Sequence, residues 1–109
     1  MFMIEVRYLR LIVFFDLPTK TKKDKKSYTD FRKLLISCGF FMVQYSVYVR
    51  ICKGQDSIET YERIISDNLP PRGSIRMLTV TNSQYERMRI FLGHKKNEEK
   101  IGEKQLLLF

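Results

Sequence analysis

The sequence predicts an α+β domain in the order βαββαβ, with a four-stranded antiparallel sheet and its helices on one face. Strand-like apolar runs alternate with stripes at helical spacing, and Gly, Pro and capping residues punctuate the junctions between them. A length of 109 residues leaves room for one compact domain and no second core of useful size.

Tyr8 to Asp16 is the first element. Its centre, Leu11 to Phe15, is continuously apolar and rich in β-branched and aromatic residues, which suits a central strand buried on both faces. Pro18 holds Leu17 extended and ends the strand. Thr21 then caps a helix, with Asp24 three positions later in a capping-box arrangement. Inside that helix Tyr28, Phe31, Leu34, Leu35 and Cys38 form an amphipathic stripe, and Gly39 stops it. The run FFMVQYSVYVRIC, from Phe40 to Cys52, is too long for one strand and turns polar at Gln44 to Ser46, so it divides there into two.

Lys53 to Asp56 is a turn, and Asp56 or Ser57 caps a second helix with Ile58, Tyr61, Ile64 and Ile65 on one side. Pro70-Pro71-Arg72-Gly73 breaks the pattern before a strand over Ser74 to Thr81. Ser83 to Phe91 reads as a short helix, Gly93 to Lys104 as a charged loop, and Gln105 to Phe109 as a short apolar strand. This is the ferredoxin-like order. Residues 1–92 form the domain, and 93–109 supply a charged loop and a strand completing a sheet, its own or a partner's.

The helices cover only one sheet face, yet Leu11 to Phe15 offers apolar side chains to both. A second copy of the chain is the simplest cover, and Leu106 to Phe109 can add to the partner's sheet edge. A homodimer is therefore expected.

The hydrophobic fraction of 44%, with eight Phe and six Tyr, suffices for a packed interior. No apolar run approaches the roughly 20 residues that span a bilayer, and the charged N-terminal stretch does not read as a secretory signal. Cys38 and Cys52 are too few for a disulfide framework and are not at zinc-ligand spacing. A reduced, cytoplasmic protein without membrane contact is expected. The formal net charge of +8 favours a polyanionic partner, because neutralising phosphates releases counterions. His94 is the only histidine and sits in a charged loop, a poor setting for a Ser-His or Cys-His nucleophile pair, and none is expected.

Asp16 closes a rigid strand, where a metal ligand can be held in place; its alternative role is to start the turn that follows. Mg²⁺ accepts one or two carboxylates and keeps several waters, so two copies of Asp16 across a two-fold axis would suffice. Lys22, Lys26, Thr29 and Lys33 fall within roughly 60° of arc on the first helix, opposite its apolar stripe. Arg32 and neighbouring lysines widen this ridge into a candidate phosphate-binding surface, and Arg76, Arg87 and Arg89 offer a second basic region. Tyr48 and Arg50 interleave an aromatic and a cation on one strand face, suited either to nucleic acid or to the core.

The segments RLIVFFDLPTKTKK, YTDFRKLLISCGFFMVQYSVYVR and SIRMLTVTNSQYERM, in this order and spacing, resemble CRISPR-associated protein two, closest to its type II branch. The resemblance runs from about Tyr8 to Met88. It implies a ferredoxin-like homodimer in which Asp16 faces its symmetry mate and binds Mg²⁺ (or Mn²⁺), in a family of metal-dependent endonucleases acting on single-stranded RNA or double-stranded DNA. It also implies the central dimer of the spacer-acquisition complex, bound to the CRISPR-associated integrase (protein one) and to spacer duplex DNA. Tyr48 matches the aromatic that follows Ser-Val in the family. Met42 and Val43 stand where some members carry a basic residue, a departure that counts against RNA cleavage. The alternatives are a non-catalytic DNA-binding adaptor and a toxin-type RNA nuclease of the same fold outside CRISPR.

Overall fold

The computed structural model describes residues 8–96 and Glu99. Strand β1 (Tyr8–Asp16) is followed by helix α1 (Lys22–Ser37), β2 (Phe41–Gln44), β3 (Val47–Lys53), α2 (Gln55–Ser66), β4 (Ser74–Thr81) and a single short helix turn, α3 (Asn82–Glu86). The sheet runs β2-β3-β1-β4 with every pairing antiparallel, and this is the expected α+β, ferredoxin-like architecture.

Register decides what each face carries. Leu11, Val13 and Phe15 of β1 lie with Tyr48 and Cys52 of β3 on the side covered by Phe31 and Leu35 of α1 and Ile58 and Ile65 of α2. Arg10, Ile12, Phe14 and Asp16 take the opposite side, and α3 covers only one end of it through Tyr85, which packs on Ile12 and Val49. Burial on both faces therefore holds at Ile12 but not at Phe14, which is 38% exposed.

Local sequence accounts for most of the element ends. The Asp24 amide donates to Thr21 Oγ1 at 3.0 Å and the Thr21 amide to Asp24 Oδ2 at 3.4 Å, closing the capping box at the start of α1. Gly39 ends that helix at φ +88°, where a side chain is disfavoured. Helix α2, by contrast, begins at Gln55 with Gly54 as its cap and no capping side chain. The left-handed Gly54 turns the chain straight from β3 into the helix, so Asp56 lies in the first turn, favourably placed for the helix dipole, rather than at the cap.

Helix α3 starts one residue earlier than expected, on a second capping box between Thr81 and Gln84, and stops at Glu86 instead of Phe91. Short helices persist only where an apolar face is packed, and Phe91, at 90% exposure, finds no core to face. The expected strand over Gln105 to Phe109, and most of the 93–109 segment, lie outside the described residues. No helix among the described residues is long and apolar enough to cross a membrane.

Candidate metal position and nucleic-acid interface

Asp16 is the last residue of β1, paired with Ser74 of β4, and its side chain is exposed on the sheet face that the helices leave open. The backbone around it is fixed. The Phe15 amide donates to the Ser46 carbonyl at 3.1 Å, tying the strand end to the β2–β3 turn. Gly73, at φ +109°, lies against the same strand end: a Cβ there would sit 2.7 Å from the Asp16 carbonyl oxygen and 2.6 Å from Leu17 Cδ2. A held backbone thus carries a carboxylate that no hydrogen bond or ion pair engages among the described residues.

An open groove of about 250 Å³ runs beside Asp16, bounded by Tyr45, Ser46, Ser74 and Arg76. Tyr45 sits at the turn, 75% exposed, with its ring stacked on Tyr28 at 6.4 Å. Burial pushes the Tyr28 phenol above its ordinary value, and hydrogen bonding with Tyr45 adds to the effect. No cluster of three or more His, Cys, Asp or Glu side chains exists among the described residues. One chain alone offers a metal a single carboxylate. A larger groove, about 620 Å³, follows α1 past Lys33 and Leu34 toward Pro70, and it does not include Asp16.

Lys22, Lys26 and Lys33 all stand exposed on α1, opposite buried Phe31 and Leu35, so core packing presents them as a ridge. Lys26 Nζ lies 2.8 Å from Asp30 Oδ2, an exposed pair worth little in water. Arg32 points elsewhere: its Nε donates to the Tyr48 hydroxyl at 2.8 Å, an interaction that holds the guanidinium above its ordinary pKa.

Tyr48 is a core residue. It is 1% exposed, stacked on Phe15 at 5.6 Å, and the ring has no free face for a base. The nucleic-acid contact expected of it is corrected on that ground, because its parity with Val13 turns it toward the helices. Arg50 shares that face and is likewise spent internally, donating to the Cys38 carbonyl and the Tyr61 hydroxyl, each at 2.7 Å. The residues overlooked in the sequence are Tyr45, hidden in what reads as a turn, and Arg76 as a neighbour of Asp16. The signal for the second was the strand pairing, which only register supplies.

Residues 9–88 match the family described as CRISPR associated protein Cas2. The chain belongs to the Cas2 family. It is 43% identical over 108 residues to the CRISPR-associated endoribonuclease Cas2 of Campylobacter jejuni, covering 98% of this chain and 76% of that relative. Identity to the protein of the same name from Acidovorax ebreus is 41% over 102 residues, 93% of this chain and all of the relative. With that of Ligilactobacillus salivarius it is 46% over 90 residues, 83% and 89% of the two chains. The Cas2 match takes in Asp16, the lysine ridge, Tyr45 and Arg76. The donor chemistry at Asp16 fits the Mg²⁺ that the family resemblance implies: an exposed hard oxygen ligand with space for coordinated water.

Proposed function

We propose that this Cas2-family protein is a cytoplasmic, homodimeric phosphodiesterase of the CRISPR system in which the two copies of Asp16 share a Mg²⁺ (or Mn²⁺) ion. The observation that carries the reading is Asp16 itself: exposed, uncommitted, and mounted on a backbone pinned by Ser46 and Gly73. A two-fold partner stacked on the open sheet face would cover Phe14 and Leu78, the latter 52% exposed, and bring a second carboxylate to the first. Bound there, the ion would supply positive charge to the scissile phosphate and lower the pKa of a coordinated water. The chain's own part is to hold that ion through one carboxylate per copy, without the reorganisation that a loop-borne ligand would need. The names of the relatives, endoribonucleases, support RNA as a substrate.

The exposed ridge of Lys22, Lys26 and Lys33 supports a second role in the same dimer. It would clamp spacer duplex DNA for the integrase (protein one) during spacer acquisition, by phosphate contacts alone. Nuclease assays of wild type and Asp16→Ala on single-stranded RNA and duplex DNA, with Mg²⁺ and with chelator, separate the roles. The enzyme reading expects cleavage by wild type only with metal, and background cleavage by Asp16→Ala. Equal cleavage by both proteins would remove Asp16 from the chemistry. If neither cleaves, while Lys22, Lys26 and Lys33 to Gln weakens duplex binding, the adaptor role stands alone.

A further inference from the structure

We propose that the groove between Asp16 and the β2–β3 turn binds one unpaired nucleotide, with Tyr45 stacking on its base and Arg76 pairing with the adjoining phosphate. The proposal rests on the reading of Asp16 for its link to chemistry, since it sets the bound phosphate beside the shared ion. It gives that site a preference for single strands.

Tyr45 is the first support. A large aromatic is unusual at a two-residue turn, where Asn, Asp or Gly is favoured, and its packing on Tyr28 uses only one side of the ring. Tyr28 of α1 backs one face of its ring at an interplanar angle of 23°, and 75% of the residue is open to solvent. A ring supported on one side and bare on the other is a stacking platform that tolerates any base. Its neighbour Ser46 holds φ +63°, a conformation non-glycine residues rarely take. The turn is fixed by the hydrogen bond from Phe15, so the platform and Asp16 are anchored to the same strand end.

Arg76 is the second. It stands opposite Phe14, and Ser74, two residues before it, stands opposite Asp16, so all four share the open face. Arg76 and Asp16 are thus diagonal neighbours across strands, within reach of one substrate. Arg76 is exposed and makes no ion pair among the described residues, although a carboxylate is so near. A guanidinium free of acidic partners matches the two oxygens of a phosphodiester as a lysine does not. The Ser46 and Ser74 hydroxyls complete the groove with groups able to bond a sugar. A base inside a duplex has both faces stacked already and cannot meet Tyr45.

The test measures binding of a short oligonucleotide, single-stranded and as its duplex, to the full chain in chelator over a range of salt. Tyr45→Ala should weaken single-strand binding by about 5- to 150-fold, the range for losing one base–aromatic stack, and leave duplex binding unchanged. Tyr45→Phe should bind like wild type. Arg76→Gln should reduce the single-strand salt slope by about 0.7, one phosphate, while Arg76→Lys keeps the slope. Both positions are exposed, and thermal melts matching wild type establish that the variants are folded. Single-strand binding unaltered in Tyr45→Ala and Arg76→Gln overturns the proposal, and so does equal weakening toward single strand and duplex. Losses at these two positions, together with Mg²⁺-dependent cleavage retained by Asp16→Ala, would uphold the nucleotide site and defeat the role given to Asp16.

Discussion

A guanidinium with no solvent exposure lies within the sheet's open face because acceptors surround it. Arg10 Nε donates to Asn82 Oδ1 at 2.8 Å and Nη2 to the Glu99 carbonyl at 3.1 Å, Glu86 lies 3.6 Å away, and the Tyr85 ring sits 4.3 Å below. Tyr85 in turn donates to Glu99 Oε2 at 2.6 Å, so the network ties Glu99 to β1 and α3. Burial, and then the hydrogen bond to Glu99, raise the Tyr85 phenol well above its ordinary value. The folded state therefore holds the phenolic proton more tightly than the unfolded chain, in which tyrosine titrates near 10. Stability from this source is fully present below about pH 10 and is lost as pH rises from there toward the folded value. Tyr85→Phe should flatten that alkaline loss in urea midpoints measured from neutral pH upward. At pH 7 the same variant should be less stable by about 1–3 kcal/mol, since Glu99 loses a buried hydrogen bond.

Among the elements, the turn at Gly73 bears most directly on the role proposed for Asp16. Gly73 combines φ +109° with a lack of room for any methyl group against the Asp16 carbonyl, a backbone atom that cannot swing aside. Gly73→Ala should cost about 1–3 kcal/mol and displace the end of β1, so the metal-dependent cleavage proposed for Asp16 should fall with stability. Gly54→Ala is the comparison, because its φ of +89° is equally unfavourable while a Cβ there meets nothing within 4 Å. It should lose stability in denaturant melts and keep cleavage. The Thr21 cap, the α1 stripe and the bounds of β4 were legible in the sequence, since each depends on neighbours a few positions away, whereas the Thr81 cap of α3 was passed over because Thr81 also closes β4. The cap of α2 was not, because a left-handed glycine replaced the side chains that usually signal a helix start. Asp16 could be singled out from its place at a strand end. The choice between core and nucleic acid at Tyr48, and the burial of Arg10, could not, because both depend on strand register and on residues some 16 to 89 positions distant.

At the scale of the whole molecule, charge and apolar surface point in opposite directions, and the fold separates them. The lysines of α1 lie on the outer helical layer, while Phe14 and Leu78 are exposed on the far face of the sheet. Ile12 opposite Leu78 and Phe14 opposite Arg76 make this face apolar at its centre and polar toward Asp16, a pattern suited to a partner that buries the middle. A carboxylate at the centre of that contact would be buried unpaired and opposed by its symmetry mate, so Leu78→Glu should convert a dimer into a monomer in light scattering at micromolar concentration. Duplex binding then reports how the ridges are used. Two ridges in one dimer would neutralise about six phosphates on a duplex long enough to touch both, with a slope near −0.9 for each; the Leu78→Glu monomer retains one ridge and should show about half that slope. A wild-type chain that is monomeric at this concentration would defeat the dimer. A Leu78→Glu monomer with an undiminished slope would show that a single ridge already makes every phosphate contact, and the bridging arrangement would fall with it.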